Sequence, residues 1–98
     1  MSSDKYFGRY IWNADKEADN ILLHGLDFSK ASEAFLDPNR RIATDERHSK
    51  NEERLFCIGM VEGRIATVRF TLRGSKIRII GAGFWRKGRK LYEEKIKK

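Results

Sequence analysis

The stretch TLRGSKIRII, residues 71–80, has the pattern of a β-hairpin. Apolar and polar residues alternate on both sides of Gly74-Ser75, and glycine at the first position of a two-residue loop favours a type II′ turn. Such a turn fixes which residues of the two strands face each other. The predicted pairs are Arg73 with Lys76, Leu72 with Ile77, Thr71 with Arg78, Phe70 with Ile79, and Arg69 with Ile80.

This register gives the hairpin two unlike faces. The apolar face carries Phe70, Leu72, Ile77 and Ile79, and the cationic face carries Arg69, Arg73, Lys76 and Arg78. Like charges directly opposite each other destabilise a sheet, typically by a few tenths to about 1 kcal/mol. Two interpretations follow. Either nearby acids and water neutralise an outer face, or the face binds a phosphate-bearing or acidic partner.

The composition is that of one folded domain spanning residues 1–98. The formal net charge is +7, and residues 73–98 hold ten lysines and arginines but only two acids. A field of this sign raises the encounter rate with polyanions, which favours nucleic acid or an acidic protein as partner.

Several classes of protein are excluded by the sequence. It contains no run near the roughly 18 apolar residues of a membrane span, and MSSDKYFGRY is too polar for a signal peptide. We therefore predict a cytoplasmic protein without membrane contact. Cys57 is the single cysteine, inside LFCIGM, which predicts a buried, inert thiol and excludes a disulfide framework.

The remaining elements give an α+β pattern. Asn13 is a good N-cap for a helix over residues 14–24, in which Ala14, Ala18, Ile21 and Leu22 have helical spacing, and Gly25 is its stop. A shorter helix runs from Phe28 to Asp37-Pro38. Strands are predicted at residues 8–12, 41–44, 54–62, 64–72 and 76–83, with a loop after residue 44, a turn at Glu62-Gly63 and a terminal helix within residues 84–98. This order predicts helices packed on one face of an antiparallel sheet.

The motifs of metal and nucleotide chemistry are missing. His24 and His48 are far apart and lack ligand spacing, and the sequence has no P-loop, dinucleotide fingerprint or nucleophile elbow. We predict no metal and no cofactor. Arg, Lys, His, Tyr and Glu around a cationic sheet suit RNA cleavage by the RNA's own 2′-hydroxyl, which needs a proton acceptor, a proton donor and cations at the developing charge.

Each candidate also has a structural interpretation. His24 could complement the dipole at the C-terminal end of its helix, and His48 could be a solvated loop residue. Glu53-Arg54 could be an ion pair at a strand edge. Trp85 and Tyr92 could face the core from the last helix, or stack on a base.

Four segments in order resemble the BrnT family, the toxin half of a bacterial type II toxin-antitoxin pair. They are IWNADKEADNILLHGLDFSKASEAFLDP, HSKNEERLFCIG, VRFTLRGSKIRII and LYEE. The resemblance implies a RelE-like fold, with two N-terminal helices on a twisted antiparallel sheet, a C-terminal helix, and a concave face that cuts RNA without a metal. It also implies a BrnA-like ribbon-helix-helix antitoxin. The toxin would then bind operator DNA only indirectly, through this antitoxin.

We therefore predict a metal-independent endoribonuclease toxin that inhibits translation. Arg54, Arg73 and Arg78 are assigned to the phosphate, and His24 and Glu53 to proton transfer in no fixed order. The predicted RNA contacts are Arg69, Lys76, Arg86, Lys87 and Tyr92.

One departure from the family pattern concerns the end of the last strand. The common Ser-Ala-Arg is replaced by Gly81-Ala82-Gly83, so an arginine is missing or is replaced by Arg86 or Lys87. This departure favours a rival hypothesis, a non-catalytic RelE-like module that holds an acidic antitoxin segment. A gyrase poison on the same fold is a third alternative.

Overall fold

The computed structural model describes residues 3–96 of the chain. The strands are β1 (Asp4–Phe7), β2 (Tyr10–Asn13), β3 (Arg41–Thr44), β4 (Leu55–Val61), β5 (Arg64–Arg73) and β6 (Lys76–Gly83). The helices are α1 (Ala14–His24), α2 (Phe28–Ala31) and α3 (Arg86–Ile96), and two 3₁₀ segments span Ser32–Leu36 and Glu46–His48. The predicted continuation of the last helix through residues 97 and 98 lies outside the described residues.

The sheet has the strand order β1-β2-β6-β5-β4-β3. Strands β2 and β6 pair in parallel, with Tyr10 beside Ile77 and Trp12 beside Ile79, so the prediction of a wholly antiparallel sheet is wrong. The helices α1 and α2 and the strands β3–β5 lie between β2 and β6 in the chain. The two neighbouring strands are therefore joined by a long crossover and not by a hairpin. Strand β1 was not predicted either, since its sequence DKYF is exposed at all four positions and lacks an apolar alternation.

The β5–β6 hairpin confirms most of the predicted register. Four pairs form as expected, namely Arg73 with Lys76, Leu72 with Ile77, Thr71 with Arg78, and Phe70 with Ile79. Gly74 has a φ of +60° and Ser75 stays outside the left-handed region, which is the combination of a type II′ turn. The type II′ turn at Gly74-Ser75 therefore sets the register of β5 and β6 next to the turn.

A β-bulge interrupts this register beyond Phe70. Arg69 pairs with Gly81, so the predicted pair with Ile80 is wrong. The bulge adds Ile80 to β6 and reverses the alternation that follows it. Ala82 consequently lies on the buried apolar side of the sheet.

Helix α1 begins and ends at the predicted residues. The side chain of Asn13 accepts hydrogen bonds from the N–H groups of Asp15 and Lys16, 3.0 Å each. Gly25 closes the helix in the left-handed region, with a φ of +67°, where a residue without Cβ is not strained.

The buried side of α1 is polar, in contrast to its predicted apolar face. Leu22 is 86% exposed, whereas Glu17 and Asn20 are buried. Glu17 accepts hydrogen bonds from Trp12 Nε1 at 3.1 Å and from the Phe28 N–H at 2.9 Å. Burial of these polar groups is tolerated because their hydrogen bonds are made within the protein.

The main core lies on one face of the sheet, which we call the helix face. It combines residues of β2, α2 and the central strands: Tyr10, Trp12, Leu26, Phe28, Ala31, Ala34, Cys57, Val61, Ala66, Val68, Phe70, Ile79 and Ala82. The 3₁₀ segment Ser32–Leu36 comes so close to β4 that a Cβ at Gly59 would lie 2.4 Å from the carbonyl oxygen of Ala34.

The opposite face carries Arg69, Arg73 and Arg78, and we call it the arginine face. Helix α3 packs here, with Gly88 against Thr67 and Arg41 Nη1 donating to the Leu91 carbonyl at 3.1 Å. The prediction of helices on a single face is therefore wrong. Apolar residues of β4, Phe56 and Ile58, give α3 a surface to pack on.

Candidate phosphate-binding site

Three arginines lie on the arginine face, at the end of the sheet that α3 does not cover. Arg78 is opposite Thr71 in the β5–β6 ladder, and Arg73 ends β5. Arg54 directly precedes β4, and Thr71 Oγ1 donates to the neighbouring carbonyl of Glu53 at 2.7 Å. Because adjacent strands are only about 4.8 Å apart, the three arginines lie in or next to neighbouring strands at one end of this face.

Glu52 lies among these arginines. Arg73 donates to its carboxylate through Nε at 3.2 Å and Nη2 at 3.1 Å, and Arg54 Nη2 is 3.7 Å away. The hydrogen bonds from Arg73 and the charges of Arg54 and Arg78 hold the pKa of Glu52 below its usual range. Arg54 and Arg73 therefore both lie on the Glu52 carboxylate.

Asp4 of β1 forms a bidentate ion pair with Arg78. The two guanidinium nitrogens donate to its carboxylate oxygens at 3.0 and 3.2 Å. These hydrogen bonds lower the pKa of Asp4 and raise that of Arg78. Acids of the chain therefore do neutralise the cationic face, although the same arginine fork also fits phosphate.

Arg54 has an unused hydrogen-bond donor. Its Nε is buried and lacks a hydrogen-bond partner among the described residues. An unsatisfied buried N–H typically costs about 1–3 kcal/mol.

The two other predicted contacts on this face have different surroundings. Lys76 Nζ donates to the Gly8 carbonyl at 3.1 Å and so supports the β1–β2 turn. Arg69 is half-buried opposite Gly81. Both lie on the arginine face, on the two strands that carry Arg73 and Arg78.

A folded loop leads into Arg54, where the sequence predicted only an irregular segment. Its backbone is closed by a 2.7 Å hydrogen bond from the Asp45 N–H to the Arg54 carbonyl. Ser49 Oγ accepts from the Arg54 N–H at 3.0 Å and donates to the Asp45 carbonyl at 2.7 Å. Within this loop, His48 Nδ1 lies 2.9 Å from Asp45 Oδ2. Sequence reasoning missed this pair, although a spacing of three residues in a turn is a local signal.

His24 lies at the other end of the sheet. Its ring makes an edge-to-face contact with Trp85, with centroids 5.2 Å apart. From Arg78 to Gly83 the strand covers about 16 Å at roughly 3.3 Å per residue. The structure therefore does not bring His24 to the three arginines.

Trp85 also explains the glycine at position 83. A Cβ there would lie 2.6 Å from the indole ring, so the ring fills the space that a side chain at this position needs. Gly81 is less restricted, since the nearest atom to its Cβ would be Asn20 Oδ1 at 3.6 Å. The position of the Trp85 ring therefore requires a glycine at position 83.

The other predicted site residues are dispersed. Glu53 is exposed next to Arg54, and Lys87 is exposed on α3. Arg86 lines a cleft of about 500 Å³. Tyr92 is 2% exposed and its hydroxyl donates to Asp37, so in this conformation it offers no surface to a base.

Two further groups bear on the chemistry of the chain. Cys57 is buried as predicted, and burial raises its pKa to about 12, so the thiolate needed for nucleophilic attack is scarce at neutral pH. In residues 3–96 no three His, Cys, Asp or Glu side chains are grouped as metal ligands.

Among the described helices, none is long and apolar enough to cross a membrane.

Comparison with known proteins identifies one family. A family model described as a ribonuclease toxin, BrnT, of a type II toxin-antitoxin system matches residues 12–88. This range includes the three arginines and the loop that holds His48, whereas Asp4 precedes it. A comparison with curated proteins finds no match.

Proposed function

Because the chain belongs to the BrnT family of ribonuclease toxins of type II toxin-antitoxin systems, we propose that it is an endoribonuclease that cuts RNA without a metal and thereby inhibits translation. The observation that carries this proposal is that Arg54, Arg73 and Arg78 share one end of the arginine face, where Arg54 and Arg73 lie on the carboxylate of Glu52 and Arg78 on that of Asp4. Arginine forks bind two phosphate oxygens at once, and three of them stabilise the additional charge of a phosphorane.

The reaction needs only groups that the RNA and the protein provide. The 2′-hydroxyl loses its proton and attacks the adjacent phosphorus, the bond from phosphorus to the 5′-oxygen breaks, and that oxygen takes up a proton. The products are a 2′,3′-cyclic phosphate and a 5′-hydroxyl. Glu53, which is exposed beside Arg54, is proposed for proton transfer, whereas His24, the second candidate from the sequence, lies at the other end of the sheet against Trp85 and is not assigned to this phosphate.

The remaining RNA contacts extend the site along the protein. Arg69 and Lys76 are proposed to bind phosphates next to the scissile one, since they share its face. Arg86, Lys87 and Tyr92 were predicted from the sequence as RNA contacts, and the two exposed cations among them suit phosphates farther along the strand.

The antitoxin is proposed to be a BrnA-like ribbon-helix-helix protein that covers the toxin and binds operator DNA. This assignment and the RelE-like arrangement of the fold rest on the family resemblance, and the cytoplasmic location stays a prediction. Antitoxin residues that block Arg54, Arg73 and Arg78 would need acidic side chains, because carboxylates already fit these arginines within the chain.

A second candidate function is a non-catalytic module that holds such an acidic segment. It is supported by the carboxylates of Asp4 and Glu52 on the arginines, and by the glycine at position 83, where Trp85 fills the space of a longer side chain. On this hypothesis the arginines bind protein and cut nothing.

Cleavage in the presence of EDTA separates the two functions. The purified chain, freed from its antitoxin, is incubated with RNA and excess EDTA, and the new ends are identified. We expect cleavage to continue, with 2′,3′-cyclic phosphate and 5′-hydroxyl ends. Loss of cleavage on chelation contradicts the mechanism, and an acidic peptide that binds tightly while RNA stays intact supports the binding module.

A further inference from the structure

The pairing of His48 with Asp45 is unlike the surroundings of His24. The Asp45 carboxylate is almost wholly buried, at 6% side-chain exposure, whereas the His48 side chain is 56% exposed. The two side chains are joined through Nδ1 at 2.9 Å. A histidine that is anchored from inside and open to solvent combines a fixed orientation with access to a substrate.

The hydrogen bond determines which nitrogen can act. An ionised carboxylate only accepts hydrogen bonds, so Nδ1 carries the proton and Nε2 carries the lone pair. The carboxylate also stabilises the imidazolium that forms when Nε2 takes up a proton. This is the arrangement by which an acid orients a histidine base in hydrolases.

Hydrogen bonds join the loop that holds this pair to Arg54. Asp45 and Arg54 are joined by the 2.7 Å backbone hydrogen bond, and Ser49 binds both residues through its hydroxyl. His48 lies between these anchor points in the chain. Its base and the first phosphate-binding arginine therefore belong to one structural unit.

We propose that His48 is the general base of the RNA cleavage, with Asp45 as its positioning residue. This inference rests on the proposed function and names the proton acceptor of that reaction. Nε2 of the neutral imidazole removes the proton of the 2′-hydroxyl, whose oxygen forms the new bond to phosphorus. The leaving 5′-oxygen takes a proton from solvent, and the imidazolium returns its proton to solvent.

The first test is the pH–rate profile of the wild-type protein, measured with RNA in EDTA. We expect an acid limb, a fall in rate toward low pH, because a protonated imidazole is no base. The charged residues of the loop that holds the ring are Asp45, Glu46, Arg47 and Lys50, and the returning segment carries Glu52, Glu53 and Arg54. A wild-type rate without an acid limb overturns the proposal, whatever the variants do.

The second test uses variants that remain folded by thermal unfolding. His48→Gln should lose about 10²- to 10⁴-fold in rate, the range of general base catalysis, together with the acid limb. His48→Ala should recover activity on addition of imidazole, and Asp45→Asn should fall between wild type and His48→Gln. Asn51→Ala, an exposed change in the same loop, is the matched control and should cleave like wild type.

The outcomes distinguish this inference from the proposed function. If the wild-type chain cleaves RNA in EDTA and His48→Gln cleaves equally fast, the base is another residue and only this inference fails. If the wild-type chain does not cleave RNA, the proposed function fails and the inference with it. Imidazole rescue of His48→Ala supports a chemical function of the ring, which a purely structural histidine would not show.

Discussion

Arginine donors at the proposed site serve two kinds of acceptor. In the free chain they bind the carboxylates of Asp4 and Glu52, and in the proposed complex they bind phosphate. Both acceptors present paired oxygens to the planar guanidinium fork. The carboxylates of the free chain therefore hold the arginines in a geometry that also suits phosphate. A lysine, which is a point charge, matches neither geometry.

Arg78 provides the most direct test at this scale. Arg78→Lys keeps the charge and loses the fork, and Arg78→Ala loses both. If Arg78 stabilises the phosphorane, each variant should lose about 10²- to 10³-fold in cleavage rate, as for loss of an oxyanion donor. RNA binding should change much less in the lysine variant. Cleavage rate, RNA affinity and growth arrest without antitoxin are measured for each protein.

The charge-matched control for these variants is Arg89→Ala, since Arg89 is exposed and pairs with Glu93 on α3. It should retain wild-type cleavage. A fully active Arg78→Ala variant removes Arg78 from the site.

Asp4 should compete with RNA for Arg78. Asp4→Asn removes the competing charge, so RNA affinity should rise a few-fold, the scale expected for a partly exposed ion pair. Fluorescence anisotropy with a short RNA at low salt measures the change. Asp19→Asn removes the same charge from the exposed side of α1 and should have a smaller effect. Equal or weaker binding by Asp4→Asn would show that the ion pair does not restrain the arginine.

Among the secondary-structure elements, the 3₁₀ segment Ser32–Leu36 makes a close backbone approach to the sheet at Gly59. Gly59 permits it because a Cβ would meet the backbone carbonyl of Ala34 at 2.4 Å. Backbone cannot rotate away as a side chain can, so the segment or β4 must shift to admit a methyl group. Packing at this one residue therefore fixes the distance between two elements.

Gly59→Ala should destabilise the protein. Overpacking of this kind typically costs about 1–3 kcal/mol, and in a domain of this size each kcal/mol lowers Tm by about 4–8 °C. The matched control is Gly81→Ala, where the nearest atom to the new Cβ is 3.6 Å away, so its Tm should stay near wild type. Thermal unfolding by circular dichroism compares them. Equal Tm values would show that the segment adapts without cost.

The elements also show how far the sequence is informative. Local patterns predicted α1, β3 and the hairpin, because a cap, a turn glycine and an alternation act within a few residues. The bulge at Ile80 was missed because adjacent isoleucines give no sign of which one faces the core. Burial of Asn20 depends on hydrogen bonds with Ala82, 2.9 and 3.1 Å long, and such distant partners leave no trace in a local pattern.

In the proposed site, too, local patterns predicted some contacts, and contacts between distant residues were missed. The hairpin register placed Arg73 and Arg78 on one face, and the structure confirms it. The contact of Asp4 with Arg78 joins opposite ends of the chain, so only the folded sheet reveals it. His24 and Arg54 were grouped by residue type, and the strand directions separate them.

Across the whole molecule, Tyr92 joins the two faces of the sheet. It belongs to α3 on the arginine face, and its hydroxyl donates to Asp37, which ends the 3₁₀ segment of the helix face. Asp37 also accepts from the Met60 N–H of β4 at 2.8 Å. Although burial alone would raise the pKa of Asp37, these hydrogen bonds and one from the Asn39 N–H lower it.

Tyr92→Phe should reduce the free energy of unfolding by about 1.5–3 kcal/mol at neutral pH, the value of a hydrogen bond to a charged group. The difference should shrink in alkali. A tyrosine ionises near pH 10 when unfolded, whereas burial and Asp37 raise the pKa of Tyr92 to about 12. From pH 10 to 12 unfolding releases this proton, so the stabilisation present below pH 10 is lost as the pH rises.

Urea unfolding of both proteins between pH 8 and 11.5 measures this convergence. The wild-type curve should fall more steeply than that of Tyr92→Phe above pH 10. Parallel curves would mean that the hydroxyl of Tyr92 titrates alike in the folded and unfolded states.

The parallel pairing of β2 with β6 has a consequence for the order of assembly. Strand β2 ends at Asn13, and its neighbour β6 begins only at Lys76. Closing so long a loop is slower than forming the consecutive hairpins of β4, β5 and β6. While a ribosome synthesises the chain, the paired strands β1 and β2 must wait for β6, which lies in the last quarter of the chain. The strands made earliest are therefore the last to join the sheet.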